Sequence, residues 1–256
     1  MRIPGIAAVA ISAALMGASP SWAQSSGPVL FPGASQTIER SGAPPYLEGW
    51  WGIGASNTYF GGWVGAVVAL NANRNVWDSG FVLRGEASVG QYDHTAINAS
   101  DVWTHGASWM FGYRQKIGDG SLTGYIGANY ETHQNNDPFA SIRGTEFGWK
   151  GLIEYSTLIT PNMSLYGSGS YSTAFETLVL FGRVGFQVMP TIWIGPEASY
   201  FRNEAPYKEA RYGGFIRFDE ALWGSSLTLS GGWLNPLKST DDDGWYAALN
   251  IGFALR

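Results

Sequence analysis

The chain has no cysteine and little charge. The absence of cysteine among its 256 residues excludes disulfides and Cys-ligated metals. Only 14% of its residues are charged, whereas a soluble domain has about 25%. Its net charge of -5 does not suit a nucleic-acid partner, whose phosphates need a basic surface. The composition therefore predicts no nucleic-acid binding and a stability that does not depend on covalent cross-links.

Long hydrophobic runs are also missing, apart from one near the amino terminus. Residues 5–17 are apolar, follow Arg2, and precede a small-residue tripeptide that ends at Ala23. This arrangement is typical of a signal peptide cleaved after Ala23, so residues 1–23 are predicted to be one. The alternative, a transmembrane anchor, is disfavoured because the run is shorter than the ~20 apolar residues that a spanning helix needs.

Aromatic residues, by contrast, make up 15% of the chain, which also carries 35 glycines. After a Ser-, Gly- and Pro-rich segment at 24–46, predicted to be a flexible periplasmic lead-in, residues 47–256 show a period of two. In the last segment one face is apolar and the other small or polar, as expected when a strand separates lipid from a lumen. The apolar face consists of Trp245, Ala247, Leu249, Ile251, Phe253 and Leu255.

About twelve such segments follow one another, each long enough for the ~9 to 11 residues of a tilted membrane-crossing strand. The predicted fold class is all-β, an outer-membrane antiparallel β-barrel of about twelve strands; a secreted β-sandwich is the alternative. The predicted spans are 48–56, 59–70, 80–92, 103–115, 121–131, 144–157, 163–172, 175–188, 191–202, 207–218, 223–234 and 245–255.

An even number of strands puts both ends of the barrel on the periplasmic side. Three long connections, 93–102, 132–143 and 235–244, then face outward, and short turns such as 158–162 face the periplasm. This asymmetry is typical of outer-membrane barrels. The connection at 71–79 fits less well, because it is long and lies on the periplasmic side.

The charged residues of these segments fall on the inward faces. An Arg or Lys on the lipid face near the midplane would cost ~2 to 4 kcal/mol, which explains the separation. We expect a paired network that fills the lumen through contacts between neighbouring strands. The alternative is a polar track for a glucan, with Tyr92, Tyr125, Tyr166 and Trp193 as aromatic platforms. The candidate residues are Arg84, Glu86, Arg114, Lys150, Arg183, Glu197, Arg211 and Arg217.

Motifs rich in Gly, Arg and aromatic residues recur along the predicted strands. They are Asp78-Ser-Gly-Phe-Val-Leu-Arg84, Gly90-Gln-Tyr-Asp93, Phe181-Gly-Arg-Val-Gly185, Gly195-Pro-Glu-Ala198 and Ala210-Arg-Tyr-Gly-Gly-Phe215. These motifs resemble the BcsS family of alphaproteobacterial cellulose biosynthesis proteins. The resemblance implies a role in cellulose production at the bacterial outer membrane. It further implies outer-membrane lipid, cellulose or another glucan, and components of the cellulose synthase complex as partners. It implies no catalytic residue.

Enzymatic chemistry has few residues to draw on. The chain has only three histidines, His94, His105 and His133, and it lacks the Gly-x-Ser-x-Gly nucleophile motif. His105 with Ser108 is the nearest candidate for a lipid-active pair. Residues 241–244 lack the alternating acidic spacing of a calcium loop. The sequence therefore predicts a non-enzymatic accessory protein without cofactor or metal, with a general channel or a lipid-modifying enzyme as alternatives.

Overall fold

The computed structural model describes residues 45–94, 100–134, 142–204, 207–221, 225–237 and 243–255. The predicted signal peptide and residues 24–44 of the predicted lead-in lie outside the described residues. Twelve strands form the structure. They are β1 (Leu47–Ser56), β2 (Tyr59–Ala69), β3 (Gly80–His94), β4 (Ser100–Ile117), β5 (Gly120–Gln134), β6 (Gly144–Thr160), β7 (Met163–Ser172), β8 (Leu178–Met189), β9 (Ile192–Arg202), β10 (Lys208–Asp219), β11 (Ser226–Pro236) and β12 (Gly244–Leu255).

The twelve strands form one closed barrel in which each strand pairs with its neighbour in sequence. All pairs are antiparallel, and β1 pairs with β12 over ten residues, from Leu47 opposite Leu255 to Ser56 opposite Tyr246. Closure leaves no edge strand whose N–H and C=O groups would meet lipid unpaired. The prediction of a twelve-stranded antiparallel barrel is confirmed.

Side chains alternate between the two sides of the wall as the sequence pattern predicts. In β12, Trp245 is 51% exposed and Tyr246 is 3% exposed. The outer surface also displays Trp109, Phe147 and Trp149, all more than 60% exposed. A continuous apolar surface of this kind is typical of the lipid-facing band of an outer-membrane barrel.

The two ends of the barrel differ. One end, here called the turn end, carries Leu47, Leu255 and the short connections 118–119, 161–162 and 190–191. The opposite end, here called the loop end, carries most of the longer connections. The wall is tallest at β4 and β6, which have 18 and 17 residues, compared with 10 in β1.

The long connection between β2 and β3 folds into the turn end. Val76 is fully buried, and its N–H donates to the Pro45 carbonyl at 2.8 Å. The Asn71 side chain holds the segment together through hydrogen bonds with the N–H and carbonyl of Asn75 at 2.9 and 2.7 Å. We call residues 70–79 the turn-end plug. The plug is long because its apolar residues pack into the lumen. The alternating pattern of the strands does not predict this packing.

At the loop end the connection between β7 and β8 also packs inward. Residues Ala174–Glu176 form a 3-10 turn, so β8 begins at Leu178 and not at the predicted residue 175. The Phe175 ring is buried and lies 4.7 Å from the His133 ring in an edge contact. Phe175 and Glu176 both have left-handed backbone angles, with φ of 49° and 45°, which cost free energy in residues other than glycine.

This 3-10 turn is the one helical segment in the part of the chain that the structure describes. Three residues cannot cross a bilayer, so the described chain contains no membrane-spanning helix.

Barrel closure can be tested with an engineered disulfide, since the chain has no cysteine of its own. Ala55 of β1 lies directly opposite Ala247 of β12, and opposite residues in antiparallel strands have Cα separations of ~4.5 to 5.5 Å, within disulfide range. We expect Ala55→Cys with Ala247→Cys to form a disulfide on oxidation, detected as altered migration of the denatured chain on non-reducing gels. Ala55→Cys with Ala248→Cys is the matched control, because Ala248 faces the lumen. Equal disulfide yields in both variants would contradict the register.

Candidate functional site

The lumen holds all eight charged residues identified from the sequence. Alternation along the strands turns them inward, and most are almost inaccessible: Arg84 and Arg211 are each 3% exposed and Glu197 is 4% exposed. Charges this deeply buried require partners, because the desolvation of an unpaired ion costs several kcal/mol.

The centre of the lumen contains a network that links β3 with β6. Arg84 Nε donates to Glu86 Oε2 at 2.9 Å, and Arg84 Nη1 donates to Glu154 Oε1 at 3.1 Å. Lys150 Nζ donates to Glu86 Oε1, and the Tyr166 hydroxyl donates to Glu154 Oε1 at 2.9 Å. We call these five residues the central network. Two cations and two carboxylates balance within it.

Aromatic rings enclose the Arg84 guanidinium. Its Cζ lies 4.5 Å from the Trp50 ring centroid and 5.5 Å from that of Tyr125. Trp50 lies flat against the wall at Gly65, where a Cβ atom would overlap the indole ring. A glycine at this position therefore allows the stacking that stabilises the buried cation.

The β8–β10 side of the lumen contains two further pairs. Arg183 Nη2 donates to Glu197 Oε2 at 2.5 Å across β8 and β9, and Glu197 also accepts from the Ser230 hydroxyl at 3.1 Å. Arg211 Nη2 lies 2.6 Å from Glu209 Oε1 within β10.

A third pair on the same side also lies within a single strand. Arg217 Nε is 3.1 Å from Asp219 Oδ1 in β10, and the Arg217 guanidinium lies 5.2 Å from the Trp193 ring centroid. Trp193 Nε1 donates to the other carboxylate oxygen of Asp219 at 3.1 Å.

At the turn end, a sixth cation holds the turn-end plug in place. Arg114 Nη1 donates to the Val76 carbonyl and lies 3.7 Å from Glu48 Oε2. Glu48 in turn accepts from Trp77 Nε1 at 2.6 Å. The plug is therefore attached to β1 and β4 by charge-assisted hydrogen bonds, which are stronger than neutral ones.

Six cations of the lumen thus face six carboxylates. The cations are Arg84, Arg114, Lys150, Arg183, Arg211 and Arg217, and the carboxylates are Glu48, Glu86, Glu154, Glu197, Glu209 and Asp219. The expected pairing between neighbouring strands occurs in Arg183–Glu197 but is wrong for Arg84, which pairs with Glu86 of its own strand and Glu154 of β6. Arg211 pairs with Glu209 of its own strand. Residues two apart in a strand share a face, and a small barrel brings opposite walls within reach of long side chains.

Sequence reasoning named only some of these partners. Four carboxylates were not among the eight candidates: Glu48, Glu154, Glu209 and Asp219. A signal for Asp219 and Glu209 was available, because Arg217-Phe-Asp219 and Glu209-Ala-Arg211 repeat the spacing of Arg84-Gly-Glu86. The alternation along β6 predicts that Glu154 faces inward with Lys150, but no local signal identifies its partner Arg84, which lies across the lumen. No local signal identifies Glu48.

The aromatic residues suggested as glucan platforms are all used in packing. Tyr166 donates to Glu154, and Tyr125 packs on Arg84. The Tyr92 hydroxyl is 2.9 Å from His133 Nδ1, and Trp193 packs on Arg217. None of the four is more than 5% exposed.

Between the central network and the loop end, the lumen contains a cavity of about 70 Å³. Its lining combines apolar side chains with serine hydroxyls from three strands and the Asn129 amide. The rings of Trp63 and Phe201 also border it. We call this space the loop-side cavity. The hydroxyls are those of Ser88, Ser108, Ser168, Ser170 and Ser172.

The suggested His105–Ser108 pair does not form. The two residues are three positions apart in β4, so they lie on opposite sides of the wall. Ser108 is 1% exposed inside the lumen and donates to Glu86 Oε1 at 2.9 Å. His105 instead contacts the Tyr130 hydroxyl at 3.2 Å. The strand alternation therefore rules out this pair as a nucleophile and base.

The other histidines offer no clearer chemistry. His133 Nε2 is 3.0 Å from Glu131 Oε1, and its other nitrogen contacts Tyr92. The side chain of His94 and residues Asp241 and Asp242 lie outside what the structure describes. Among the residues it does describe, no three His, Asp or Glu side chains are grouped as metal ligands.

A protein-family model described as cellulose biosynthesis protein BcsS matches residues 50–255. The chain belongs to the BcsS family. The match covers eleven of the twelve strands completely and most of β1, and it confirms the resemblance seen in the sequence motifs. Membership places this barrel in cellulose biosynthesis. The search of curated proteins found no match to this BcsS-family chain.

Solved structures resemble the BcsS-family barrel in fold. The KdgM porin has a TM-score of 0.50 at 12% identity, with 82% of this chain and 99% of that chain covered. The KdgM porin in complex with disordered oligogalacturonate has a TM-score of 0.50 at 11% identity and the same coverage. The translocator domain of the autotransporter NalP from Neisseria meningitidis has a TM-score of 0.49 at 11% identity, covering 85% and 91%. The KdgM likeness shows an outer-membrane type of barrel fold.

The Arg183–Glu197 pair allows a test of lumen pairing, because Arg183 has one carboxylate partner in the structure. Arg183→Met should lower the free energy of unfolding by about 3–5 kcal/mol, since it leaves Glu197 buried and unpaired. Adding Glu197→Gln should recover most of that loss. The measurement is the urea midpoint in detergent micelles. An unchanged midpoint in Arg183→Met would contradict a dry, paired lumen.

Proposed function

We propose that this barrel lies in the outer membrane and acts as a non-enzymatic accessory protein in cellulose production, without conducting the polymer. The observation that carries the proposal is the filled lumen. Six cations paired with six carboxylates occupy it together with the turn-end plug. The loop-side cavity has a volume of about 70 Å³, far smaller than a continuous polymer channel.

Charge balance further supports a closed barrel over a general channel. A selective pore is typically lined by charges of one sign that face an aqueous path. Here the cations of the lumen are held by carboxylates, as in Arg183–Glu197 at 2.5 Å. The KdgM porin has been solved in complex with disordered oligogalacturonate, but the fold alone is shared with this chain.

The outer-membrane location is supported by the exposed apolar band and by the predicted signal peptide. The termini of the barrel lie at the turn end, so we propose that this end faces the periplasm and that the loop end faces the exterior. An accessory protein in this orientation would present its loops to secreted cellulose.

The accessory role can be tested by deleting the gene. We expect surface-retained, dye-binding cellulose to change in amount, while synthase activity in isolated inner membranes stays the same. Complementation with the wild-type chain or with His105→Ala should restore retention, because the proposal assigns no catalytic work to His105. Unaltered surface cellulose would contradict the accessory role, and failure of His105→Ala alone would favour a lipid-modifying enzyme.

Conductance separates the accessory role from a channel. The purified wild-type barrel should produce no stable ion-conducting steps in planar bilayers, since side chains fill the lumen. Arg114→Ala with Trp77→Ala, which removes the attachments of the turn-end plug to β1 and β4, is the comparison variant. Large, stable conductance by the wild type would favour a porin.

A further inference from the structure

The loop-side cavity has the composition of a carbohydrate site. We propose that it binds a single neutral hexose unit of a β-glucan, presented from the loop end. The identity of the polymer, a β-glucan, rests on the proposed function. The preference for a neutral hexose rests on the residues that line the cavity.

An aromatic ring borders the cavity in an orientation suited to a sugar. The Trp63 indole lies flat on the β1 wall, where Cβ atoms at Gly52 and Gly54 would approach it to 2.7 and 3.1 Å. Its Nε1 donates to Asn250 Oδ1 at 3.0 Å, which fixes the plane of the ring. A pre-organised aromatic surface is a common way to hold the apolar C–H face of a ligand.

Hydroxyl and amide groups supply the polar part of the site. Ser168, Ser170 and Ser172 alternate along β7 and line the cavity. Asn129 Nδ2 donates to the Ser172 hydroxyl at 2.9 Å, so the Asn129 amide is held in place. Hydroxyls donate and accept hydrogen bonds, as the hydroxyls of a neutral sugar also do.

Two buried hydroxyls on the loop-end side of the cavity, outside its lining, lack partners. Tyr59 is 5% exposed and Thr104 is 1% exposed, and neither hydroxyl has a hydrogen-bond partner among the described residues. The Tyr59 ring lies over Gly90, which pairs with Thr104 in the sheet. A buried hydroxyl without a partner is unfavourable, so a bound polar molecule at this position would supply what the protein does not.

The position of these hydroxyls links them to the cavity. Tyr59 also lies over Gly61, which is two residues before Trp63 on the same face of β2. Measured along the strands, Gly61 and Thr104 are therefore about one two-residue rise, ~6.8 Å, closer to the loop end than Trp63. A ligand entering from the loops would meet these hydroxyls before it reached the indole.

The size and charge of the cavity define the ligand class. Its volume of about 70 Å³ equals the space of ~5 water molecules, which suits one sugar ring and not a continuous strand. Its cations, Arg84 and Lys150, already bind Glu86, and Glu131 adds a carboxylate to the lining. An acidic sugar would be repelled by those carboxylates, and the described lining has no cation left to bind its carboxylate. A neutral sugar is therefore favoured.

The test uses the full mature barrel in detergent, with cellotetraose as the probe and isothermal titration calorimetry as the measurement. We expect saturable binding by the wild type and a loss of about tenfold in affinity for Trp63→Ala. Tyr59→Phe keeps the ring and removes one unpartnered hydroxyl, so it should weaken binding without lowering the unfolding midpoint. Trp109→Phe, on the lipid face, is the matched control and should bind as the wild type does.

Tetragalacturonate serves as the acidic comparison and should not bind. Absence of cellotetraose binding by a folded wild-type barrel, or equal affinity in Trp63→Ala, would overturn the inference. Equal binding of the acidic tetramer would overturn the assignment to neutral sugars. Because gene deletion tests the accessory role separately, a lack of cellotetraose binding together with an altered cellulose phenotype would reject this site and leave the proposed function standing.

Discussion

Closure of the sheet between β1 and β12 is the constraint on which the rest of this structure depends. In hydrocarbon, backbone N–H and C=O groups have no water to bind, so every strand needs a neighbour on both sides. Ten residue pairs join the first strand to the last. Closure gives the wall an inside and an outside, and strand alternation then assigns every second residue to one or the other.

The composition of the lumen follows from that division. Polar and charged residues of a low-charge chain gather inside, where each ion must be paired because the interior is confined. Three of the pairs are formed by residues two apart in one strand, such as Arg217 with Asp219. Others cross the lumen, such as Arg84 with Glu154. Ion pairs therefore occupy much of the lumen, and the loop-side cavity lies between the central network and the loop end.

Both ends of the barrel are modified by connections that pack inward. At the turn end, Val76 and Trp77 bring apolar surface into the lumen and are held by Arg114 and Glu48. At the loop end, Phe175 is buried against His133 despite its left-handed backbone. These contacts narrow the lumen at both ends, a feature that the pattern of the strands does not predict.

Much of this architecture could be predicted from the sequence by itself. The number of strands, their limits to within a few residues, the lipid-facing side and the inward position of the charged residues all follow from a period of two, which is a local property. The BcsS motifs are likewise local and identified the family. Which ions pair, how the segment 70–79 folds, and where Trp63 and the β7 serines form a cavity were decided only by the tertiary structure. These features depend on distances across the lumen, and the curvature that sets those distances arises only when twelve strands close into a barrel.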